Sequence, residues 1–361
     1  MPHPLRQHMP NVVYECTSRT IQGRFLLRPS TQLRRRMIGI LAAAQELYPL
    51  VELHAFVVLS NHWEYLASCE CAEEFSLYAG YVNSNFAREC GRAHAWTGPF
   101  WGRRVRVIPC LDDTATIDRL HYCIAQGAKE GLVASPLDWP GASAVPALVG
   151  DMTLVGERVD RDALRHAREA AQRRDGNADA VRETDYTRTT TLRLTPLPVF
   201  RDLDASALRA RHVALLDDVI ALAAAERADR PPLGIAAVLR QDPHAVPATF
   251  VPTPAPPCHA SSVQLRRAFL RLRSAFTLAY RHIADAIANL LSPRLQRQVA
   301  VRPQVPTIPT IPIAKSDTTI DTSMAELQRR VPPGMFLLAR CIRPAPPFLL
   351  TDLAYGRCAD G

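Results

Sequence analysis

Residues 51–68, VELHAFVVLSNHWEYLAS, constrain the fold of this chain more than any other stretch. Val51, Leu53, Ala55, Val57 and Leu59 alternate with a second set of side chains, Ser60-Asn61 is a turn signal, and HWEYLAS supplies a return strand. Alternation with period two on both sides of a short polar turn predicts a β-hairpin, because successive strand residues point to opposite faces. Around it, residues 11–19 (NVVYECTSR) read as a strand. Ser30 caps a predicted helix running to about Tyr48, with Leu33, Met37, Ile40, Leu41 and Ala44 as its apolar stripe. A helix over about 72–90, a strand at roughly 100–109 and a helix over about 113–132 complete the order β-α-β-β-α-β-α. That order predicts an α+β domain of the ferredoxin-like kind, an antiparallel sheet with helices on one face.

The chain has 361 residues, enough for two domains. The texture changes near residue 148: residues 151–200 are charged and Thr-rich, and helices are predicted over 206–227, capped by Asp204, and over 261–291. The second helix repeats Leu265, Phe269, Leu272, Phe276, Ile283, Ile287 and Leu290 at helical spacing, with Arg266, Arg267, Arg271, Arg273 and Arg281 opposite. The expected division is thus a sheet domain over 1–148, a basic, mainly α-helical and Pro-interrupted region over 149–300, and a Pro-rich tail over 301–361 with no packed core. Residues 1–150 carry 14 basic and 13 acidic side chains, so most of the net charge of +8 lies behind them. A basic excess suits a polyanionic partner without naming one. Nine scattered cysteines without a C-x-x-C pair argue against a disulfide framework and a zinc knuckle. No run of about 18 apolar residues is present and the N-terminus lacks an apolar core, so the expectation is a soluble cytoplasmic protein that does not enter membranes.

Two short segments can carry chemistry. His62 and Glu64 stand two apart on the return strand, which puts both on one sheet face and Trp63 and Tyr65 on the other. An imidazole beside a carboxylate is a partial divalent-cation site, and equally an ordinary polar face of an edge hairpin. On the helix over 113–132, Ile117, Leu120, Ile124, Ala128 and Leu132 form the core stripe, and Tyr122 lies roughly 160° around the helix from Ile124. Gln126, one turn on, shares the tyrosine's face, which reads either as a site or as a wet surface. Trp101, Arg103, Arg104 and Arg106 interleave an aromatic ring with cations, as single-strand binders do, or else place a core tryptophan beside solvated arginines. Arg34, Arg35 and Arg36 read as a solvated helix face, and His54, His94 and His121 have no spacing that argues for ligation.

Taken together, HAFVVLSNHWEYL and, some sixty residues later, LHYCIAQGAKEGLVASPLDWPGAS resemble the single-tyrosine HUH transposases, and among them the REP-associated tyrosine transposases. That family reads "AyvvMpNHvHlll", then a "WqgRy" strand, then "YI..NPvraglv..p.dypwSS". The matching residues are Asn61-His62, Trp101-Gly102-Arg103-Arg104, Tyr122, Gly131-Leu132-Val133, and Pro136, Asp138, Trp139 and Ser143. YECTSR at 14–19 is similar to the family's opening "yHvtsRg", and the resemblance spans residues 10–145 in order.

The resemblance implies a metal-dependent strand transferase acting on single-stranded or hairpin DNA, as a monomer or homodimer. Tyr122 corresponds to the nucleophile that forms a 5′-phosphotyrosine link. His62 corresponds to the first of two metal-binding histidines, and Gln126 to the polar residue completing the shell around Mg²⁺ or Mn²⁺. Glu64 falls where the family has its second histidine, Glu15 where it has another, and Gln126-Gly127 where it has "NP". A carboxylate is a harder donor than imidazole and suits either ion. The same three departures also fit a catalytically silent copy that keeps a DNA-hairpin grip.

Overall fold

The computed structural model describes residues 7–228, 230–247 and 255–291. The Pro-rich tail expected over 301–361 lies outside the described residues. The elements below belong to one compact unit.

In chain order the elements are β1 (Tyr14–Arg19), α1 (Thr31–Leu47), β2 (Val51–Val58), β3 (His62–Cys69), α2 (Ala72–Ala93), β4 (Arg106–Pro109) and α3 (Asp113–Ala125). There follow α4 (Val145–Leu148), β5 (Thr153–Val159), α5 (Arg161–Asp175), β6 (Thr187–Arg193), α6 (Ala205–Arg227), α7 (Ile235–Leu239) and α8 (Val263–Leu291). The first four strands form one antiparallel sheet in the order β2-β3-β1-β4, so the fold is ferredoxin-like α+β. The hairpin expected at the edge contributes its return strand, β3, to the interior of that sheet. Helix starts follow the chemistry of their caps: Ser30 Oγ accepts from Leu33 N–H, and Asp112 and Asp204 do the same for α3 and α6.

Four features depart from the sequence reading. The helices do not share one face. Trp63 and Tyr65 meet Phe86 and Tyr78 of α2, whereas Glu64, on the opposite face of the same strand, meets the end of α3. The strand expected from residue 100 pairs continuously only from Arg106, because Gly102 N–H bonds to the Arg19 carbonyl and the chain then loops out with Arg103 and Arg104 exposed. The helix expected to 132 stops at Ala125: Gln126 takes extended backbone angles, and Gly127 has φ +86°, where a β-carbon would be strained. Finally, β5 and β6, with α5 between them in sequence, form an antiparallel pair that the charged, Thr-rich composition of 151–200 does not advertise.

This strand pair packs against α1. A β-carbon on Gly39 of α1 would lie 2.0 Å from the Glu157 carbonyl oxygen, so the two backbones touch. Arg36, read as solvated, is instead buried and pairs with Glu183 at 2.9 Å. Leu192, Leu194 and Leu197 join the same core as β1 to β3. The helix expected over 261–291 forms as α8; Phe269 is buried, Arg266, Arg267, Arg271 and Arg281 are exposed, and Ile283 is 46% exposed. Among the described residues no helix is long and apolar enough to cross a membrane.

Candidate active site

Strand register assembles the site. Glu64 lies opposite Thr17 and His62 opposite Arg19, while Arg106 and Ile108 of β4 face Thr17 and Glu15. Directly paired residues project to the same side, so Glu15, Arg19, His62, Glu64 and Arg106 line one face. Helix α3 crosses that face and adds Arg119 and Tyr122, and the loop before β4 adds Arg103 and Arg104. These residues enclose a cleft of about 610 Å³. Its far wall comes from Ala255, Pro256 and His259.

The cleft is rich in cations. Lys129 Nζ sits 3.1 Å from the centre of the Tyr122 ring, and the Arg119 guanidinium carbon sits 4.7 Å from it. Arg19 feels the charges of Arg106 and Glu64 and faces Tyr122. His62 Nδ1 lies 2.7 Å from Asn61 Oδ1, an acceptor, which puts the ring proton on Nδ1 and leaves a lone pair on Nε2. Burial, with Arg19 and Lys129 nearby, lowers the His62 pKa to about 3, so the ring is neutral at physiological pH. Burial and the neighbouring Glu15 raise the Glu64 pKa to about 8. Burial also works against ionisation of Glu15, but the hydrogen bond and charge of His259 and the charge of Arg119 outweigh it and hold that carboxyl below its ordinary value.

Gln126 is buried beneath the cleft, and its Nε2 reaches Glu64 Oε2 at 3.4 Å. Glu64 Oε1 and Gln126 Oε1 are both buried with no hydrogen-bond partner among the described residues. Such orphaned oxygens are costly without a partner. Two oxygen acceptors beside a neutral imidazole lone pair are a donor set that fits a hard divalent cation. Among the described residues no group of three His, Cys, Asp or Glu side chains is placed to hold a metal; a cation on His62 and Glu64 would take its third protein donor from the Gln126 amide.

Of the residues singled out in the sequence, His62, Glu64, Tyr122, Arg103, Arg104 and Arg106 converge on this cleft. Gln126 joins them as the C-cap of α3 rather than as part of the helix. Trp101 does not converge: its indole N–H donates to the Asn83 carbonyl at 3.0 Å and its ring meets Phe100 edge-on, so it is a packing residue. Arg19, Arg119, Lys129 and His259 carry weaker signals in the sequence. The first is legible in hindsight, since Glu15, Thr17 and Arg19 alternate on a predicted strand; Arg119 stands one turn before Tyr122. Nothing near His259 in sequence announces its place.

No protein-family model and no curated protein matches the chain. Two solved structures are similar to part of it. A structure of a REP-associated tyrosine transposase bound to a REP hairpin is 20% identical over 41% of this chain and 86% of its own, with a TM-score of 0.35. A crystal structure from Deinococcus radiodurans R1, of a protein assigned provisionally as a transposase, is 15% identical over 34% of this chain and 95% of its own, with a TM-score of 0.25.

Proposed function

We propose that this chain is a transposase-like DNA strand transferase that cleaves and rejoins single-stranded or hairpin DNA through a phosphotyrosine intermediate. The observation that carries the reading is the convergence of Tyr122, His62 and Glu64 on one arginine-lined cleft. The motifs shared with the single-tyrosine HUH transposases point the same way. Arg19, Arg103, Arg104 and Arg106 bind the phosphates flanking the scissile bond, and the cleft holds the phosphodiester within reach of Tyr122. The Tyr122 oxygen attacks phosphorus in line with the bond to the 3′ oxygen, leaving a 5′-phosphotyrosine and a free 3′ end. Arg119 and Lys129 fix the ring by cation–π contact and set positive charge beside the reacting phosphate. Mg²⁺ or Mn²⁺, held by His62, Glu64 and Gln126, would polarise the phosphate and offset its charge.

The test is incubation with labelled hairpin or single-stranded DNA and Mn²⁺, followed by denaturing gels. Wild type should yield a covalent protein–DNA adduct. Tyr122→Phe should yield none while binding DNA within a few-fold of wild type, since only the attacking oxygen is lost. The second reading, a silent DNA-hairpin binder, is favoured by one feature: a Glu64 carboxyl that is largely protonated at neutral pH. Tight DNA binding with no adduct under either ion would establish it.

A further inference from the structure

The residues that close the cleft come from far along the chain. His259 N–H donates to the Pro109 carbonyl at 2.8 Å, and Leu111 N–H donates to the His259 carbonyl at 2.9 Å, so the segment pairs with the end of β4. Two residues on, Ser261 N–H donates to Asp112 Oδ2 at 2.8 Å, while the other oxygen of Asp112 caps α3. The segment is thus tied to the start of the helix that carries Tyr122. The pairing aims the imidazole into the cleft, where His259 Nε2 lies 2.6 Å from Glu15 Oε2. Arg119 Nη1 reaches the other oxygen of Glu15 at 3.6 Å and stacks on the Tyr122 ring, so one chain of contacts links His259 to the tyrosine. Glu15 is nearly buried, with a relative exposure of 6%. A buried carboxylate beside one imidazole nitrogen fixes the tautomer and leaves the other nitrogen to exchange protons, as in other carboxylate–histidine pairs.

Resting on the strand-transfer reading, we propose that His259 is the proton donor to the leaving 3′ oxygen, and that Glu15 is its positioning residue. In cleavage the bond between Tyr122 Oη and phosphorus forms as the bond from phosphorus to the 3′ oxygen breaks. The bonding pair stays on the 3′ oxygen, which takes the proton from His259 Nδ1, and the tyrosine proton passes to water at the mouth of the cleft. In rejoining, His259 takes its proton back from the 3′ hydroxyl. The region beyond residue 148 is then part of the catalytic machinery.

The test compares a hairpin DNA having an ordinary 3′ oxygen at the scissile phosphate with one having sulfur there. Thiolate leaves without a proton, so the sulfur substrate does not need the donor. His259→Gln should slow adduct formation on the oxygen substrate by roughly 10²-fold or more, the ordinary scale of general acid catalysis, and leave the sulfur substrate within a few-fold of wild type. Glu15→Gln, which keeps the side-chain shape, should show the same selective loss at smaller size. Equal slowing on both substrates, in both variants, would overturn the proposal by showing that the segment only shapes the cleft. A wild-type chain that forms no adduct on either DNA would overturn the strand-transfer reading itself, and this proposal with it.

Discussion

The two faces of strand β3 carry opposite designs from alternating residues. On one, Trp63 and Tyr65 stack with ring centres 4.3 Å apart, fully buried against α2, and the Trp63 indole N–H reaches Asn83 Oδ1 at 2.8 Å. On the other, His62 and Glu64 lie among cations, and a buried carboxylate oxygen has no partner among the described residues. The apolar face supplies burial and dispersion, and the polar face is destabilising on its own account. A strand held this firmly from behind can keep a poorly solvated carboxyl in front. The difference teaches where to look for function on such a strand: on the face whose groups are worse off folded than unfolded.

Replacing residues on each face separates the roles. Trp63→Ala should be the most damaging to the fold, costing about 3–5 kcal/mol as core aromatic truncations do, and urea unfolding would measure it. Glu64→Gln should leave folding intact and raise the metal concentration needed for cleavage by an order of magnitude or more, read from metal-titrated adduct formation. Glu64→His should retain cleavage and shift preference from Mg²⁺ toward Mn²⁺, imidazole being the softer donor. Equal metal dependence in all three versions would remove Glu64 from the site.

Protonation sharpens the same contrast. Because the folded pKa of Glu64 is raised to about 8, the folded state holds a proton that the unfolded chain releases in the ordinary carboxylate range. Its contribution is therefore fully present at low pH and is lost as pH rises through about 8. Denaturant midpoints should fall across that window in wild type and fall less in Glu64→Gln. A cation must displace the same proton, so metal affinity should climb with pH up to about 8. The smallest expected effect is at the cleft's rim. Replacing Arg103 and Arg104 together with Gln should flatten the slope of log K against log salt by up to about 1.4, at roughly 0.7 per phosphate contact on single strands.

Much of this was legible because it is local. Alternation places His62 and Glu64 together and away from Trp63 and Tyr65, and the caps at Ser30 and Asp204 mark where two helices begin. Gln126 reached the site for a reason the helical pattern hides: Gly127 ends the helix and turns the amide inward. Trp101 misled because an aromatic ring beside arginines looks alike whether its indole faces DNA or the Asn83 carbonyl. The β5–β6 pair is not legible because its strands are polar, Thr-rich and separated by α5, and its fit rests on Gly39 and Gly156 letting backbones touch. His259 was invisible because its partner Glu15 is 244 positions away.

That separation also sets a clock. A ribosome adding about 5–20 residues per second needs on the order of ten seconds to pass from Tyr122 to His259. During that interval the emerging sheet already has its tyrosine and arginines, but Glu15 waits for its imidazole and the cleft stands open along β4. A chain ending before Ala255 would lack the wall that Ala255, Pro256 and His259 supply, and would leave the Glu15 carboxylate facing Arg119 alone.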